Sequence, residues 1–339
     1  MSKLDMGRLL PHRLTAFLIV GVALVFGLLI ARQLILSRGL PHSQFAEKKL
    51  RVLTYATFMG NGGPGPRLVQ QFKARHQCEV EVVTVSDAGL LLEREKLASV
   101  GQPFDVVLGL DQLMLKGAAG HWRSLNIAVP GFEANEFFVP YDWSPLTFIY
   151  RRGEIDPPRS VNELSDARFK GRIALEDPRT SSPGAQFVAW LSAVAPPDFL
   201  AQLSPSVQSV ASSWALAYGL FMKKQVDLVW SYVTSLAYHW EVEHQPQFQA
   251  ASFKEGHPVQ IEYAGVPATC GECALAEDFV RGLLDLEAQQ MIMEKNFMFP
   301  VIKAVTVGTV YERLPELKTI STSTLTPHIL NVWDQAFKH

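Results

Sequence analysis

Strand-like and helix-like segments alternate along this chain from Leu50 onward, and this alternation constrains the fold more than any other feature. Leu50–Tyr55 and Val80–Val85 predict strands, and the apolar run DVVLGL at 105–110 has the length of a buried parallel strand. A loop rich in glycine and proline at 60–66 leads into a first helix, and Leu90–Leu97 predicts a second. A βαβαβ order of this kind predicts a doubly wound α/β domain.

The alternation restarts after residue 150, which indicates a second α/β domain. Phe137–Tyr150 is predicted to carry the chain across to it, and Pro258–Ala264 is predicted to carry the chain back. The other predicted elements are strands at 171–177 and 226–232 and helices at 183–194, 214–224, 272–285 and 286–295. Because 339 residues agree with about two domains, we expect two hinged lobes with a ligand cleft between them. Residues 50–140 and 262–339 would form lobe 1, and 141–261 lobe 2.

An uncharged apolar run, Leu14–Ala31, follows three basic residues at the N-terminus and ends at Arg32. This is the layout of an export signal, and its eighteen residues are also enough to span a bilayer as a helix. A buried core helix is disfavoured because the run has no polar face. Residues 1–40 are therefore predicted to be a signal sequence or an N-terminal hydrophobic membrane anchor, and 41–49 a linker, so that the body is exported.

Charge and cysteine content narrow the function classes. The formal net charge is -2 and the body has no lysine–arginine cluster, which argues against nucleic acid as a partner. For Cys270 and Cys273, a local disulfide and two unpaired thiols both remain open, and both are favoured over redox chemistry. No further zinc ligands lie near this pair in the sequence, so neither a metal nor a cofactor is indicated.

The dipeptide Ser181-Ser182 lies between a predicted strand and a predicted helix. Ser182 before Pro183 is typical of a helix N-terminus, where free backbone N–H groups and hydroxyls can bind an anion. The alternative is that these serines only cap the helix, and both interpretations remain open.

Aromatic residues follow the ends of predicted strands, where the cleft of an α/β protein lies. Tyr55 and Tyr232 each end a strand, and Trp214 begins a helix at the same end of the second lobe. Because Trp214, Tyr218 and Phe221 share helical spacing, Tyr218 and Phe221 are predicted to belong to a core stripe. Trp214 fits either the core or the cleft.

Two carboxylates also follow predicted strands. Asp87 either caps the next helix or binds a cationic group of a ligand, whereas Asp111 is predicted to be a solvated helix cap. Rings, a carboxylate and a helix N-terminus together suit a flat, cationic ligand, with or without a phosphate. A cation over a well-placed ring contributes about 0.5–2 kcal/mol.

Nine ordered motifs carry a resemblance to a known family. They are LTYATF (53–58), GPGP (63–66), DVVLGLD (105–111), FVPYDW (138–143), EDPRTSSPG (176–184), WALAYGLF (214–221), DLVWSYVTSLAYH (227–239), FKEGHPVQIE (253–262) and NFMFPV (296–301). With them, the chain from about Leu50 onward resembles the periplasmic thiamine-binding proteins of bacterial ABC importers, within the family 1 extracellular solute-binding proteins. The resemblance implies a two-lobed periplasmic-binding-protein fold of type II. It also implies a receptor, not an enzyme, that closes on thiamine, thiamine monophosphate or thiamine diphosphate and delivers it to the permease subunits.

The resemblance further implies which residues contact the ligand. The matching positions are Tyr55, Asp87, Ala88, Ser181, Ser182, Trp214, Tyr232, Val233, Thr234, Ser235, Tyr238 and Phe297. By the same resemblance, Trp214 and Tyr238 stack on the pyrimidine, while Tyr55, Tyr232 and Ser181 surround a phosphate.

Three positions depart from the family pattern. Gly62 and Phe297 stand where the family usually has Trp, and Ala88 stands where Gly is typical. These changes remove ring area and indole N–H donors, so we expect weaker phosphate binding or a shift among the thiamine forms.

Three other function classes fit parts of the sequence. A thiaminase-like enzyme needs an exposed cysteine of low pKa beside a base, but Cys78 opens a strand away from the cleft and Cys270 lies in a loop. Among related receptors, one for iron needs paired tyrosines and one for a polyamine needs more carboxylates than are predicted, and one for a phosphonate stays open. A membrane-tethered sensor depends on whether the apolar segment is retained.

Overall fold

The computed structural model describes residues 43–98, 101–116, 120–322 and 324–337. The apolar run 14–31, predicted to be a signal or an anchor, lies outside these ranges. Across these ranges, no helix combines the length and the apolar character that crossing a bilayer requires. The fold that follows lies within Glu47–His339.

Strands and helices alternate over most of the described residues. The strands are β1 (Lys49–Tyr55), β2 (Glu79–Val85), β3 (Val106–Asp111), β4 (Phe138–Arg151), β5 (Ile173–Glu176), β6 (Val207–Ala211), β7 (Leu228–Tyr232), β8 (Phe248–Ala250), β9 (Val259–Gly265) and β10 (Phe299–Pro300). The helices are α1 (Ala56–Met59), α2 (Gly65–His76), α3 (Leu91–Ala98), α4 (Gln112–Leu115), α5 (Ser182–Val194), α6 (Phe199–Leu203), α7 (Trp214–Met222), α8 (Ser235–Ala237), α9 (Cys273–Gly282), α10 (Leu286–Asn296) and α11 (Pro327–Phe337). A short 3₁₀ helix, Ala88–Leu90, precedes α3.

One continuous sheet connects the two α/β regions. Its strand order is β2-β1-β3-β9-β4-β7-β5-β6, with β8 and β10 pairing onto β4. Strands β1, β2 and β3 are parallel, as are β5, β6 and β7, whereas β9 and β4 are antiparallel to their neighbours. The long strand β4 pairs with β9 along its first part and with β7 along its last part. We call β2, β1, β3, β9 and the first part of β4 the first half of the sheet, and the remainder the second half.

Burial explains why these segments form strands. All of β3 is buried, in agreement with the apolar run from which it was predicted. In the second half, Phe148, Phe187, Trp190 and Trp230 are fully buried in one cluster, and the indole planes of Trp190 and Trp230 stack at 5.1 Å. This core fixes the position of α5 and β7, whose ends reach the cleft.

Some elements differ from the sequence prediction. Strand β6 was not predicted because it is an edge strand in which polar side chains replace the apolar pattern. The helix predicted for 214–224 ends at Met222, and α2 begins at Gly65, inside the predicted loop. Helix α11 packs against α5 and α6, and its Trp333 joins the core cluster of the second half.

Candidate ligand-binding site

A cavity of about 470 Å³ lies where the carboxyl ends of β1, β2 and β7 meet the N-terminal ends of α5 and α7. The C-terminal end of α10 closes another side. Six aromatic rings and three carboxylates line it, together with the exposed Lys295. The rings belong to Tyr55, Trp214, Tyr218, Tyr232, Tyr238 and Phe297, and the carboxylates to Asp87, Glu243 and Glu262. Such a lining suits a flat ligand that carries positive charge.

Asp87 joins the first half of the sheet to two helices of the second half. It precedes the 3₁₀ helix but makes no capping bond to it. Instead, its carboxylate accepts hydrogen bonds from the N–H of Trp214 at 2.8 Å and from the N–H of Ser182 at 3.3 Å. Burial raises the pKa of Asp87, whereas these two N–H groups and the Ser181 hydroxyl lower it. The carboxylate therefore sits at the positive ends of both helices.

Trp214 is held in a fixed orientation on one wall. Its Nε1–H donates to the Ser231 hydroxyl at 2.8 Å, and its ring stacks on Tyr218 with centroids 5.0 Å apart. Tyr232 lies beside it at 6.2 Å. Because its indole N–H is satisfied within the protein, Trp214 offers its ring face rather than a donor to a ligand.

A second aromatic pair, Tyr238 and Phe297, also lines the cavity. Tyr238 is 36% exposed and meets the Phe297 ring edge to face at 5.1 Å. Phe297 has a left-handed backbone, with φ of 51°, at the end of α10. Part of the Tyr238 ring is therefore accessible to a ligand.

A buried group of carboxyls forms part of the cavity wall. Glu262 on β9 accepts hydrogen bonds from the hydroxyl of Tyr55 at 2.7 Å and from that of Tyr141 at 2.6 Å. Its strand neighbour Asp142 on β4 accepts one from Asn296 at 2.8 Å. Burial raises the pKa of both carboxyls, and their proximity raises that of Asp142 further. Lys295 is the one cationic side chain of the lining, and it lies on the exposed side.

Tyr218, His239 and Glu243 form a hydrogen-bonded chain behind the ring wall. His239 Nε2 lies 2.7 Å from the Tyr218 hydroxyl, and its Nδ1 lies 2.7 Å from a Glu243 oxygen. The imidazole stacks on Phe248 at 3.6 Å, and burial lowers its pKa. The chain fixes Tyr218, on which Trp214 stacks.

The structure brings most of the predicted site residues together. Those that line the cavity are Tyr55, Asp87, Ala88, Ser182, Trp214, Tyr232, Ser235, Tyr238 and Phe297. Ser181, Val233 and Thr234 are fully buried and do not line it. The Thr234 hydroxyl donates to Ser144 on β4, so this turn supports the wall from behind.

Three details of the sequence prediction need correction. At Ser181-Ser182, where the sequence left an anion site and a helix cap both open, the N–H of Ser182 donates to the Asp87 carboxylate and the Ser181 hydroxyl makes no capping bond. Asp111 is a helix cap, but it is fully buried rather than solvated, and it also accepts a hydrogen bond from Gln186 at 3.0 Å. Tyr218 is buried as predicted for a core stripe, yet it also lines the cavity.

The three cysteines lie away from the cavity. Cys270 and Cys273 form a disulfide with their Cα atoms 5.2 Å apart, which settles the alternative that the sequence left open. Cys78 is buried, and burial raises the pKa of its thiol. Over the described ranges, no group of three or more His, Cys, Asp or Glu side chains is arranged to hold a metal ion.

Sequence reasoning missed several lining residues, above all Glu243, Glu262, Lys295 and Asn296. None of them follows the end of a parallel strand, which was the signal used to find the others. Glu262 could have been noticed as a charged residue within an otherwise apolar crossing segment, since burying a carboxylate is costly unless it has partners.

Comparison with known proteins shows which proteins share this architecture. The sequence profile of the bacterial extracellular solute-binding proteins matches residues 53–298. A thiamine-binding periplasmic protein of Escherichia coli is 35% identical over 286 residues, which cover 81% of this chain and 87% of that protein. A solved periplasmic thiamin binding protein superposes with a TM-score of 0.80 at 32% identity, covering 88% of this chain and 99% of the other.

The fold extends to receptors of low sequence identity. A ferric binding protein from Campylobacter jejuni has a TM-score of 0.68 at 14% identity, covering 85% of this chain and 99% of the other, and it shows the fold alone. The predicted fold class, a two-lobed α/β periplasmic-binding-protein fold of type II, is thereby confirmed for the described residues. With the profile matched over most of its length and relatives of this identity, the chain belongs to the bacterial extracellular solute-binding proteins.

Proposed function

We propose that this chain is the substrate-binding component of an ABC importer, which captures thiamine in the cleft cavity and delivers it to permease subunits. The observation that carries the proposal is the lining of six rings and three carboxylates. Thiamine joins a flat aminopyrimidine to a permanently cationic thiazolium, so it uses both features. Relatives that are 35% identical over most of this chain, and that are named for thiamine binding, support the same ligand.

Individual residues take the following roles in this proposal. Trp214 presents its ring face to the pyrimidine, and Tyr238 closes on the opposite side. Asp87 and Glu262 supply negative charge near the thiazolium, and Tyr55 and Tyr232 form the floor. Ser181 acts indirectly, because its buried hydroxyl lowers the pKa of the Asp87 carboxyl.

The ligand class proposed from the resemblance includes thiamine monophosphate and thiamine diphosphate. The names of the relatives support periplasmic localisation, with residues 1–40 directing export. N-terminal sequencing of the exported protein distinguishes a removed signal from a retained membrane anchor: a mature chain that starts after residue 31 indicates removal.

The two halves of the sheet act as hinged lobes in this proposal, with β4 and β9 as the crossings. Lobe 1 comprises 50–140 and most of 262–339, and lobe 2 comprises 141–261. Helix α11 packs on α5 and α6, which supports assigning residues 327–337 to lobe 2.

Titration calorimetry on the purified full-length chain tests the function. We expect binding heat with thiamine and none with iron(III) or spermidine. Heat with iron(III) or spermidine alone would identify a different receptor and refute the proposal.

A second assay addresses catalysis. Incubation with thiamine and a nucleophilic amine should leave thiamine intact, because none of the three cysteines lines the cavity. Turnover that disappears in Cys78→Ala would show that the chain is an enzyme.

A further inference from the structure

Hydrogen bonds connect the indole of Trp214 to the hydroxyl of Tyr218. The Trp214 Nε1–H donates to the Ser231 hydroxyl at 2.8 Å, and that hydroxyl lies 2.9 Å from the hydroxyl of Ser235. Burial raises the pKa of Tyr218, whereas a hydrogen bond with Ser235 lowers it. The residues that carry these hydroxyls are buried, so water competes little for the bonds between them.

The same chain of hydrogen bonds continues from Tyr218 to a carboxylate of the cavity lining. His239 is fully buried, and it lies with Nε2 2.7 Å from the Tyr218 hydroxyl and with Nδ1 2.7 Å from Glu243. A π-helical turn, Tyr238–Val242, leads into Glu243, whose N–H donates to the Tyr238 carbonyl at 3.2 Å. Burial raises the pKa of the Tyr238 hydroxyl, and the charge of Glu243 and a hydrogen bond to it raise that pKa further. Glu243 therefore interacts both with the chain that leads to the indole and with the hydroxyl of Tyr238.

The two ends of the chain determine its direction. An indole N–H can only donate and a carboxylate can only accept, so His239 carries a proton on Nδ1. Burial lowers the pKa of His239 and outweighs the charge of Glu243, which raises it, so the neutral ring accepts at Nε2. The hydroxyl of Tyr218 then donates to His239, and those of Ser231 and Ser235 donate in the same direction along the chain. Hydrogen bonds aligned in this way polarise and strengthen one another.

Stacked rings run alongside the hydrogen bonds. Trp214 stacks on Tyr218 with centroids 5.0 Å apart, and the Tyr218 and His239 planes are within 15° of parallel. His239 in turn stacks on Phe248 at 3.6 Å. Stacking fixes the planes of the rings, whereas the hydrogen bonds fix how each ring is turned within its plane.

We propose that Glu243 is a positioning residue, which orients Trp214 through this chain and Tyr238 through its hydroxyl for contact with the ligand. This proposal rests on the proposed function and identifies the residue that organises its two aromatic contacts. Glu243 lines the cavity and its side chain is 22% exposed. Its charge also attracts a cationic ligand, and suitable variants separate that effect from positioning.

Two substitutions of Glu243 make this separation. Glu243→Gln keeps a side-chain oxygen that can accept the His239 Nδ1–H, whereas Glu243→Leu removes the acceptor, and both remove the charge. By titration calorimetry on the full-length chain, we expect Glu243→Gln to bind thiamine within about three-fold of wild type. We expect Glu243→Leu to bind at least about ten-fold more weakly, because the buried donors of the chain lose their final acceptor. Equal affinities of the two variants would overturn the proposal.

Substitutions inside the chain test the same positioning while the lining carboxylate stays in place. His239→Phe keeps a ring between Tyr218 and Phe248 but removes both nitrogens, and Tyr218→Phe keeps the stacked ring but removes the hydroxyl. Each should weaken thiamine binding by at least about five-fold, and two variants are used so that a folding defect in one leaves the other informative. Wild-type affinity in both would show that stacking alone holds the rings, and the proposal would be wrong.

A neighbouring carboxylate provides the matched control. Glu241 is exposed, pairs with Arg313 at 3.5 Å and does not line the cavity. Glu241→Leu makes the same substitution two positions from Glu243 and should keep the wild-type affinity. A loss equal to that of Glu243→Leu would show that the effect is not specific to the chain and would contradict the proposal.

Nitrogen NMR of labelled histidines gives a readout that does not depend on a ligand. The signals of His239 are those that disappear in His239→Phe. At pH 7 we expect the neutral ring with its proton on Nδ1. A proton on Nε2, alone or in a doubly protonated ring, would reverse the bond to Tyr218 and overturn the proposed chain.

These outcomes distinguish this proposal from the proposed function. Thiamine binding by wild type with equal affinities in Glu243→Gln and Glu243→Leu would overturn the positioning role and leave thiamine capture in place. Absence of binding heat with wild type would overturn the proposed function and the role of Glu243 in it.

Discussion

His257 is the residue that most directly couples this fold to pH. Its Nδ1–H donates to the carbonyl of Leu146 on β4, and its Nε2 accepts the N–H of Phe253 at 3.0 Å. Protonation would place a second N–H against that donor, so the folded protein favours the neutral ring. Burial accordingly lowers the pKa of His257 to about 4.

Because folding lowers the pKa of His257, the free energy of unfolding decreases as the pH falls. The contribution of His257 is complete above the unfolded-state pKa of about 6.5 and is lost as pH falls toward 4, in total about 3 kcal/mol. We therefore expect wild type to lose its advantage over His257→Asn by about this amount between pH 7 and pH 4 in urea unfolding. His121→Asn, at an exposed histidine, should give no such trend. A pH-independent difference between wild type and His257→Asn would contradict the assignment.

We expect the rings of Trp214 and Tyr238 to stack on the pyrimidine of thiamine. Trp214→Ala and Tyr238→Ala should each weaken thiamine binding by about 1–3 kcal/mol, counting stacking and lost burial together. Calorimetry measures the change. Phe137→Ala removes a half-buried ring outside the cavity and should leave affinity unchanged. Unaltered affinity in both cavity variants would show that the ligand binds elsewhere.

Residue identities near strand ends could be predicted from the sequence, because strand ends face a cleft in α/β proteins. Tyr55, Asp87 and Tyr232 follow from that rule alone. The hydrogen bonds of Asp87 did not follow, since they depend on two helices distant in sequence. Glu262 did not follow either, because its strand runs antiparallel through the centre of the sheet.

Among the elements, the short 3₁₀ helix Ala88–Leu90 approaches the backbone before α5 closely. A Cβ on Gly89 would lie 2.5 Å from the carbonyl carbon and oxygen of Thr180, just before α5. These are backbone atoms, so they cannot move aside as a flexible side chain would. Glycine at position 89 therefore allows the 3₁₀ helix of the first half to contact the backbone of the second half directly.

We expect Gly89→Ala to separate these two elements and to weaken thiamine binding by at least about ten-fold, since small displacements of contact groups are costly. The fold itself should survive, because the cores of both halves lie elsewhere. Gly219→Ala is the matched control, since a Cβ there meets nothing within 4 Å. Calorimetry measures the thiamine affinity of both variants, and thermal unfolding measures their stability. Equal affinities of Gly89→Ala and Gly219→Ala would show that the close approach is not needed for binding.

The periodicity of the sequence predicted the buried elements better than the edge elements. Strand β3 is buried along its whole length and reads as one apolar run, whereas β6 at the sheet edge carries Gln208 and Ser209. Helix α11 does carry a local signal, since Pro327 opens it and its apolar residues share one face, and the sequence prediction did not use that signal.

At the scale of the whole molecule, the prediction of two lobes came from the extended segments that were expected to cross between them. Two extended segments were expected to connect the lobes, and β4 and β9 pair side by side within one continuous sheet. The chain also returns a third time, where His257 pairs with Thr319 and the Ile320 N–H donates to the His257 carbonyl. Nothing in the residues around Thr319 predicts this return, because it depends on pairing with His257, which is distant in the chain.

In the hinged arrangement proposed above, we expect polar contacts between the two halves of the sheet to set the balance between open and closed forms. Besides those of Asp87, a buried hydrogen bond links Gln186 on α5 to Asp111 at the end of β3, outside the cavity lining. Hydrogen bonds to charged groups contribute about 1.5–3 kcal/mol. Since this bond joins the two halves, it favours the closed form without touching a ligand.

Gln186→Leu should therefore shift the ligand-free protein toward the open form and weaken thiamine binding by roughly ten-fold, because the ligand must then supply the closing free energy. Small-angle scattering should show a larger radius of gyration than wild type without thiamine and the same radius at saturation. Gln290→Leu makes the same substitution at an exposed helix position and should change neither quantity. If Gln186→Leu matches wild type in both radius and affinity, closure is controlled by the Asp87 contacts alone.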